Sequence, residues 1–423
     1  MQSGSATGTL RSGSFRSLLG SSVASALGAS ISSVAVNWLV YHYTHSTIDV
    51  AYVGLAGIVP GIVLGLFAGV LADRYDRRRL MVTADLVRMV VLAGLAGTLY
   101  LAGFSLLVIL GAITLVYCFS ALFTPASQAI LPRIVATEHL ESANGVLSAL
   151  TATGYTMGAA VGGLVIVSAG AVAGLGINAA TYAISGTLLF QIAATAGHPP
   201  PRRSTARASV RAELREGFDY MWAHRPVLEV TFGFLPANFL LTMVTSFFVV
   251  YAATIFGGDP TAYGFLAAGL AAGVAAGALA VPRLGARRFA GKLLGASVVA
   301  QGGAVALLVV SRSLPLSIVG AAWAGVSIGL INTVYFATMQ AIVPNEVLAR
   351  VLSIDSVGAF VAIPAGLVVG GLLAAARGIL FAYTVAGIGV TVNGLVLLSL
   401  PDVRSLRYEA RPGTDPAVPL PGP

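Results

Sequence analysis

Twelve long apolar runs constrain this chain more than any other feature of its sequence. A helix that crosses the hydrocarbon core of a bilayer needs roughly 20 apolar residues. Runs of that kind lie near residues 18–42, 48–72, 80–102, 104–127, 141–168, 171–195, 227–255, 261–283, 290–311, 314–339, 348–374 and 377–400. Because 57% of the 423 residues are hydrophobic and only 9% are charged, a soluble fold is excluded. The sequence predicts an all-α membrane protein with twelve transmembrane helices.

Two related halves are indicated by sequence matches at a nearly constant offset. Run two carries glycines four residues apart, among them Gly61, and run eight repeats this spacing from Gly269 onwards. The segment SQAILP (127–132) likewise recurs as MQAIVP (339–344). Internal repeats of this kind are typical of transporters. We therefore expect two six-helix bundles related by a pseudo-two-fold axis.

The expected domains follow from the one long connection, which lies between runs six and seven. They are a disordered N-terminus (1–15), an N-terminal six-helix bundle (16–196), a central loop (197–226), a C-terminal six-helix bundle (227–400) and a tail (401–423). Apolar residues of the central loop recur at helical spacing from Val210 to Trp222. This pattern predicts an amphipathic helix that lies on the membrane surface, and a plain charged linker is the alternative.

The distribution of positive charge sets the expected orientation. Of the 24 Lys and Arg residues, Arg312 and Arg377 fall in loops on one side, Arg88 falls inside run three, and the remaining 21 fall in the tails, the central loop and the alternate loops. Cytoplasmic loops of membrane proteins carry the excess of Lys and Arg. Both termini are therefore expected in the cytoplasm, with the chain spanning the inner (plasma) membrane as a monomer in contact with lipid.

Several other functional classes are excluded by the same residues. The single cysteine, Cys118, permits neither an intrachain disulfide nor a Cys-based zinc site. The segment GARRFAGKL (285–293) lacks the spacing of a P-loop, so we expect no ATP hydrolysis, no metal and no other cofactor. Basic residues are divided among loops instead of being gathered with aromatic residues on one face, which argues against nucleic acid as a partner.

One stretch, GVSIG (325–329), matches an enzyme motif, the GxSxG nucleophile elbow of hydrolases. That motif requires a strand, a sharp turn and a helix, together with a partner histidine. Ser327 instead lies in the middle of run ten, and no histidine follows His224. We therefore expect no enzymatic activity.

The charged segment GVLADRYDRRRL (69–80) interrupts the apolar pattern between runs two and three. It resembles the loop signature GxxxDRxGRR of the major facilitator superfamily, with Asp76 where the family usually has glycine. The matching residues are Gly69, Asp73, Arg74, Arg77 and Arg78. The resemblance implies the major facilitator fold over about residues 16–400 and a cytoplasmic gate. In that gate Asp73 meets the start of helix eleven, where a carboxylate gains about 0.3 to 1 kcal/mol.

A second resemblance narrows the family to drug exporters. Run five is similar to the antiporter signature G(x8)G(x3)GP(x2)GG, with Ala159 in place of the proline. The matching glycines are Gly145, Gly154, Gly158, Gly162 and Gly163. The segment PASQAILPRIV (125–135), followed by SANG (142–145), also resembles the macrolide-efflux and siderophore-export group.

These resemblances imply a secondary active transporter that works by alternating access. It would export a small hydrophobic or amphipathic compound, such as a drug, an antibiotic or a secondary metabolite, in exchange for protons. An importer of a sugar or another small nutrient, built on the same fold, is the alternative.

Acidic residues inside the runs are the candidates for proton coupling, because an intramembrane carboxylate is costly and usually functional. Asp85 lies three residues before Arg88 on the same helix face, so an internal ion pair is the simplest interpretation. Asp355 has no basic residue three or four positions later and either joins the cytoplasmic gate or carries a proton. Glu229, at the start of run seven, is interpreted as an interfacial anchor.

The family resemblance assigns runs one, four, seven and ten to a central substrate cavity. Polar and aromatic residues recur there at helical spacing and predict a wall without a buried charge, suited to a bulky and largely neutral compound. The candidates are Asn37, Tyr41, Tyr117, Gln128, Asn238, Asn332, Tyr335 and Phe336. For each of them, a hydrogen bond to a neighbouring helix is the alternative role.

Overall fold

Long helices build the protein, as the apolar runs predict. The computed structural model describes residues 13–136, 139–192, 210–285 and 288–407. Twelve helices within these ranges are long and apolar enough to cross a membrane, which confirms the predicted number of spans. Residues 1–12 of the predicted disordered N-terminus and most of the predicted tail lie outside the described residues. Residues 13–15 are helical and begin the first span, so the prediction of disorder is wrong there, and the domain limits stay predictions.

The N-terminal bundle contains six helices. They are α1 (Gly13–Thr44), α2 (Thr47–Arg74), α3 (Arg77–Ala102), α4 (Leu106–Ile134), α5 (Leu140–Ala169) and α6 (Ala171–Phe190). We call the end of the molecule where α2 ends and α3 begins the basic end, because Arg77, Arg78 and Arg133 lie there. The other end is called the opposite end.

The second half begins with a short helix and continues with the C-terminal bundle. Its helices are α7 (Val210–Ala223), α8 (Arg225–Thr245), α9 (Phe248–Phe256), α10 (Pro260–Ala280), α11 (Ala290–Val310), α12 (Leu314–Ile342), α13 (Asn345–Arg377), α14 (Ile379–Ser399) and α15 (Pro401–Ser405). A single 3-10 turn, Val281–Leu284, extends α10 at the basic end.

Each bundle repeats the same set of helix contacts. α1 packs against α5 and α6, just as α8 packs against α13 and α14, and the α2–α4 contact corresponds to that between α10 and α12. Between the bundles, α5 packs on α10 and α13 packs on α2, two contacts that a two-fold axis would exchange. The structure therefore has the pseudo-two-fold arrangement that the sequence repeats predict.

The seventh span departs from the continuous helix predicted over 227–255. α8 ends at Thr245, and α9 begins at Phe248. Carbonyl groups at such a break need partners, because lipid offers no hydrogen bonds. The Tyr383 hydroxyl donates to the carbonyl oxygen of Val244 at 2.8 Å, in a buried position. A tertiary hydrogen bond thus stabilises a break that helical periodicity does not reveal.

The helix predicted in the central loop is present as α7, and one of its faces packs against α13. Met221 is fully buried, and a Cβ atom on Gly217 would lie 3.0 Å from the Cβ atom of Arg350. Phe218 and Trp222 remain 43% and 67% exposed. This exposed aromatic edge is consistent with the membrane surface, where the position of the helix stays a prediction.

Glycine faces let α10 and α12 approach with their backbones in contact. A Cβ atom built on Gly273 or Gly277 would overlap a carbonyl oxygen of α12, and one built on Gly325 or Gly329 would overlap a carbonyl oxygen of α10. Ser327 is helical and donates to the carbonyl oxygen of Trp323 at 3.2 Å. The GxSxG match is therefore a helix-packing pattern and has no strand-turn-helix geometry.

Substituting Gly273 with alanine tests this packing. Gly273→Ala should lower the midpoint of thermal unfolding in detergent, because overpacking a tight interface costs about 1–3 kcal/mol. Gly97→Ala is the matched control, since an added Cβ there meets no atom within 4 Å and alanine favours a helix. Equal unfolding midpoints for the two variants would show that the α10–α12 contact is loose.

Candidate functional site

A cavity of about 910 Å³ lies mainly within the N-terminal side of the molecule. Helices α1, α2, α4 and α5 supply most of its wall, and α3 and α6 contribute a few residues. Among the described residues, the C-terminal half adds Thr245, Ser246, Tyr263 and Leu367 to the lining. The cavity is thus strongly asymmetric, although the two bundles share one architecture.

The bundles are held together at the opposite end. The Thr47 hydroxyl, at the start of α2, donates to the carbonyl oxygen of Gly371 in α13 at 2.8 Å. On the other side of the pseudo-two-fold axis, a Cβ atom on Gly163 in α5 would lie 2.8 Å from the carbonyl oxygen of Pro260. The indole nitrogen of Trp38 donates to the carbonyl oxygen of Gly258 at 3.3 Å.

From this closure the cavity extends towards the basic end. Its lining includes Ser22 near the start of α1, Gln128 near the end of α4 and Leu147 near the start of α5. All three positions belong to the basic half of their helices. The conformation is therefore closed at the opposite end, with a cavity that reaches towards the basic end.

Three of the predicted cavity residues line this space: Asn37, Tyr117 and Gln128. The other five do not. Tyr41 lies beside Thr254 near the opposite end, and Tyr335 is buried against Phe234. Asn238, Asn332 and Phe336 are exposed on α8 and α12. Of the described residues of these two helices, only Thr245, at the end of α8, reaches the cavity lining.

Several lining residues were missed by reasoning from runs one, four, seven and ten alone. Tyr155 comes from α5, and Asn178 and Tyr182 come from α6. Ser25 and Thr151 place buried hydroxyl oxygens in the wall, and these form no hydrogen bond within the described part of the chain. In run five, Tyr155 lies between Gly154 and Gly158. Glycines leave space beside one helix face, so this pattern could have identified Tyr155 as a cavity residue.

An ion pair forms between Asp85 and Arg88 on α3, as their spacing predicts. Asp85 is completely buried, and Arg88 is 4% exposed. The second carboxylate oxygen of Asp85 accepts a hydrogen bond of 2.5 Å from the Ser185 hydroxyl on α6. Both oxygens of this carboxylate are therefore satisfied.

Aromatic rings enclose the guanidinium group of Arg88. Its central carbon lies 4.7 Å from the centroid of the Phe123 ring and 4.4 Å from that of Tyr182. One terminal nitrogen donates to the Ser120 hydroxyl at 3.3 Å. Arg88 also lines the cavity, so the prediction of a wall without a buried charge is wrong at this position. The sequence predicted an ion pair within one helix for this charge but could not show that the pair borders the cavity.

A double-mutant cycle tests whether the pair stabilises the bundle. Asp85→Asn or Arg88→Gln alone should lower the free energy of unfolding by about 3–5 kcal/mol, because each leaves a buried partner uncompensated. The double variant should lose less than the sum of the two single losses. The measurement is thermal or denaturant unfolding in detergent, and additive losses would mean that the two charges do not interact.

The predicted gate segment is described only in part. The side chains of Gly69, Asp73 and Arg74 lie outside the described residues, so their roles stay predictions. Arg77 is buried and donates to the carbonyl oxygen of Ala129 in α4 at 3.0 Å.

Arg78 completes the described contacts of the gate segment. Its Nε donates to the carbonyl oxygen of Leu189 in α6 at 3.2 Å, and its guanidinium group lies over the Phe190 ring. Cations at helix C-termini are stabilising. The two arginines thus join α3 to the basic ends of α4 and α6.

The antiporter-type glycines place α5 between α1 and α10. Cβ atoms on Gly154, Gly158 and Gly162 would press on α1, and one on Gly163 would press on α10. Gly145 has no atom within 4 Å of the corresponding position. Four of the five glycines therefore permit close helix approach, and Gly163 does so between the two bundles.

A bulky side chain at residue 163 should open the opposite end. In Gly163→Val the side chain would overlap α10, so the bundles should separate there, and the distance between spin labels on Leu107→Cys and Ala376→Cys should lengthen in the Cys118→Ser background. Both label positions are exposed near the opposite end. Gly145→Val is the control and should leave the distance unchanged. An unaltered distance in Gly163→Val would show that this contact does not hold the closure.

Asp355 does not line the cavity. It is half-buried in α13, beside the Tyr335 hydroxyl of α12. Within the described residues, no basic side chain forms an ion pair with it. Both predicted roles of Asp355, in the gate or as a proton carrier, stay predictions.

Sequence comparison relates the chain to exporters over nearly its whole length. The family model described as "Transmembrane secretion effector" matches residues 4–417. The multidrug efflux pump Tap of Mycolicibacterium fortuitum is 27% identical over 398 residues, covering 91% of this chain and 95% of that protein. Macrolide efflux protein A of Streptococcus pyogenes is 23% identical, covering 90% and 94% of the two chains.

Structural comparison identifies the same architecture in solved transporters. The crystal structure of the nucleoside transporter NupG superposes with a TM-score of 0.72 at 14% identity, covering 91% of this chain and 98% of that one. A bacterial homologue of the lysosomal transporter Spinster, solved in an inward-facing and unoccupied conformation, gives a TM-score of 0.69 at 14% identity, covering 94% and 99%. At 14% identity, these similarities show that the fold is shared.

Proposed function

Because the chain belongs to the transmembrane secretion effector family of the major facilitator superfamily, we propose that it exports a small hydrophobic or amphipathic compound, such as a drug, an antibiotic or a secondary metabolite. The family and fold are those of multi-pass membrane transporters, which are not enzymes. The exporter direction is supported by the efflux pumps among its relatives and by the antiporter-type glycines of α5.

The cavity is the observation that carries this proposal. It is closed at the opposite end by contacts between the bundles and reaches towards the basic end. If the basic end faces the cytoplasm, as the charge distribution predicts, a compound enters from the cytoplasm or the inner leaflet. Opening the opposite end while the basic end closes then releases it on the other side. A gate at Asp73 remains our proposal for the second closure.

The wall favours a neutral compound with aromatic or apolar surface and hydrogen-bond acceptors. Tyr117, Tyr155 and Phe123 supply ring faces and edges. None of the described lining residues is acidic, and the one cation in the wall, Arg88, is already paired with Asp85. An organic cation would find no counter-charge in this lining, whereas hydroxyl, amide and guanidinium groups can donate hydrogen bonds.

For the energy source we propose the proton gradient. The chain lacks a P-loop, so transport against a concentration gradient requires a coupled ion, and protons are the expected partner in the exporter branch that it resembles. We place the protein in the inner membrane as a monomer with both termini in the cytoplasm.

Expression in a pump-deficient bacterium tests the exporter proposal. Cells that make the wild-type protein should retain less of the neutral compounds in a panel of neutral and cationic amphipathic dyes and antibiotics, and a protonophore should abolish the difference. Tyr155→Ala should weaken apparent affinity about three- to tenfold, as expected for the loss of ~0.5–1.5 kcal/mol from one aromatic contact.

Tyr100→Ala is the matched control, since Tyr100 is 81% exposed on α3 and does not line the cavity. It should behave as the wild type. Equal retention with and without the protein for every compound, or faster uptake of a nutrient, would contradict export, and the second result would favour the importer.

A further inference from the structure

We propose that the coupling proton is carried by Asp355 in a cluster of the C-terminal bundle, formed by Asp355, Tyr335 and Thr231 and separate from the substrate cavity. We call these three residues the Asp355 cluster. The inference rests on the proposed exporter function and assigns the site of its ion coupling.

Three helices bring the Asp355 cluster together at one depth. Asp355 lies ten residues after the start of α13, Thr231 six residues after the start of α8, and Tyr335 seven residues before the end of α12. All three of these helix termini are at the basic end. At 1.5 Å per residue, the cluster is about 10–15 Å from that end, which is inside the membrane-spanning part of the bundle.

Unpartnered hydroxyl groups distinguish this cluster. Thr231 is 1% exposed and Tyr335 is 6% exposed, and neither hydroxyl oxygen forms a hydrogen bond within the described residues. Leaving such a group unpaired costs about 1–3 kcal/mol. The Tyr335 hydroxyl lies near Thr231 and near the Asp355 carboxyl, without the geometry of a hydrogen bond to either. The two unpaired hydroxyls, with their free-energy cost, therefore lie next to the Asp355 carboxyl.

A carboxyl group surrounded by rotatable hydroxyls can be satisfied in both of its protonation states. The Tyr335 hydroxyl can donate a hydrogen bond to ionised Asp355 and, after it rotates, can accept one from the O–H of the neutral carboxylic acid. One carboxylate and two hydroxyls provide four oxygens, fewer than the six to eight ligands that a hard cation such as Ca²⁺ takes. The ligand that this chemistry fits is a proton.

Within the part of the chain that the structure describes, no charged side chain of a neighbouring helix pairs with the Asp355 carboxyl. The helices packed against α13 are α8, α2, α7, α14 and α12. Among their described side chains, Tyr335 is the titratable group that faces Asp355. The remaining described charges on these helices are Asp49, Arg215, Asp219, Arg225 and Glu229.

These other charges have partners or positions of their own. Arg215 pairs with Asp219 at 3.8 Å, and Glu229 lies in the first turns of α8, near Arg225 and Asp402. Asp49 lies in the first turn of α2, at the opposite end.

Asp85, a fully buried acid of the N-terminal bundle, has the opposite character. Its two carboxylate oxygens are bound to Arg88 and Ser185, and it is completely buried. Protonation would break an ion pair and leave the guanidinium group uncompensated. Asp355 is only half-buried, and no ion pair holds it within the described residues. It can therefore exchange a proton without breaking an ion pair.

The position of Asp355 also links its protonation to the closure at the opposite end. The same helix, α13, carries Gly371, whose carbonyl oxygen accepts the hydrogen bond from Thr47 that closes the opposite end. Protonation or deprotonation of Asp355 changes how α13 packs against α8 and α12. The substrate cavity lies on the other bundle, so coupling between the two ligands passes through the relative position of the bundles.

The test uses purified protein in liposomes with the neutral dye Nile red as the transported probe. Asp355→Asn should abolish accumulation of the dye driven by a proton gradient while keeping dye counterflow, which needs no net proton movement. Asp355→Glu should restore part of the accumulation. Asp219→Asn is the control, because it removes an exposed carboxylate of α7, and it should accumulate dye as the wild type does.

A second measurement follows protons directly. In weakly buffered detergent solution, Nile red should displace protons from the wild type and from Asp219→Asn but not from Asp355→Asn. Tyr335→Phe should shift the pH at which half of this release occurs, because a hydrogen bond to the ionised carboxylate is stronger than one to the neutral acid.

Accumulation by Asp355→Asn at the wild-type level would overturn the assignment and leave the exporter function in place. If Asp355→Asn loses both counterflow and accumulation, the assignment is also overturned, because a structural role of Asp355 explains that result. A wild type that moves no dye under a proton gradient, or that needs a sodium gradient, would overturn both the exporter proposal with proton coupling and this assignment.

Discussion

In lipid, apolar side chains gain nothing by leaving the membrane for a helix interface, so packing depends on how closely backbones can approach. Glycines supply that approach here. Gly273 and Gly277 bring α10 against α12, while Gly158 and Gly162 bring α5 against α1. Through Gly163, α5 also meets α10 across the two bundles. The helices that surround the cavity are thus fixed by contacts that larger side chains would prevent.

Symmetry of the fold and asymmetry of its chemistry have different origins. The same helix pairs pack in both halves, because the repeated glycine and apolar patterns specify them. Buried polar groups do not repeat: the N-terminal bundle holds the Asp85–Arg88 pair beside the cavity, and the C-terminal bundle holds Asp355 with two unpartnered hydroxyls. Helix packing depends on shape, so the same pattern can serve both bundles. Each buried charge, in contrast, needs a partner or a ligand of its own.

Sequence reasoning succeeded where the relevant interaction is local. The pair of Asp85 and Arg88 was predicted from their three-residue spacing, and the twelve spans from apolar length. It failed where the arrangement of several helices determines the environment of a residue. Asn238 and Asn332 have the polarity of cavity residues but are exposed outside it, because the rotation and separation of the bundles set which face of α8 and α12 borders the cavity. No single run contains that information.

The sequence by itself determined the number of membrane spans, the two related halves and the family, since each of these depends on the length of apolar runs, on repeated spacing or on a short motif. Only the tertiary structure decided that the cavity belongs mostly to one bundle, that Arg88 lines it, and that α8 is interrupted after Thr245. These features depend on contacts between residues far apart in the chain, such as Tyr383 with Val244. The apolar pattern along one helix indicates which residues contact lipid, but it does not identify the helix that packs beside it.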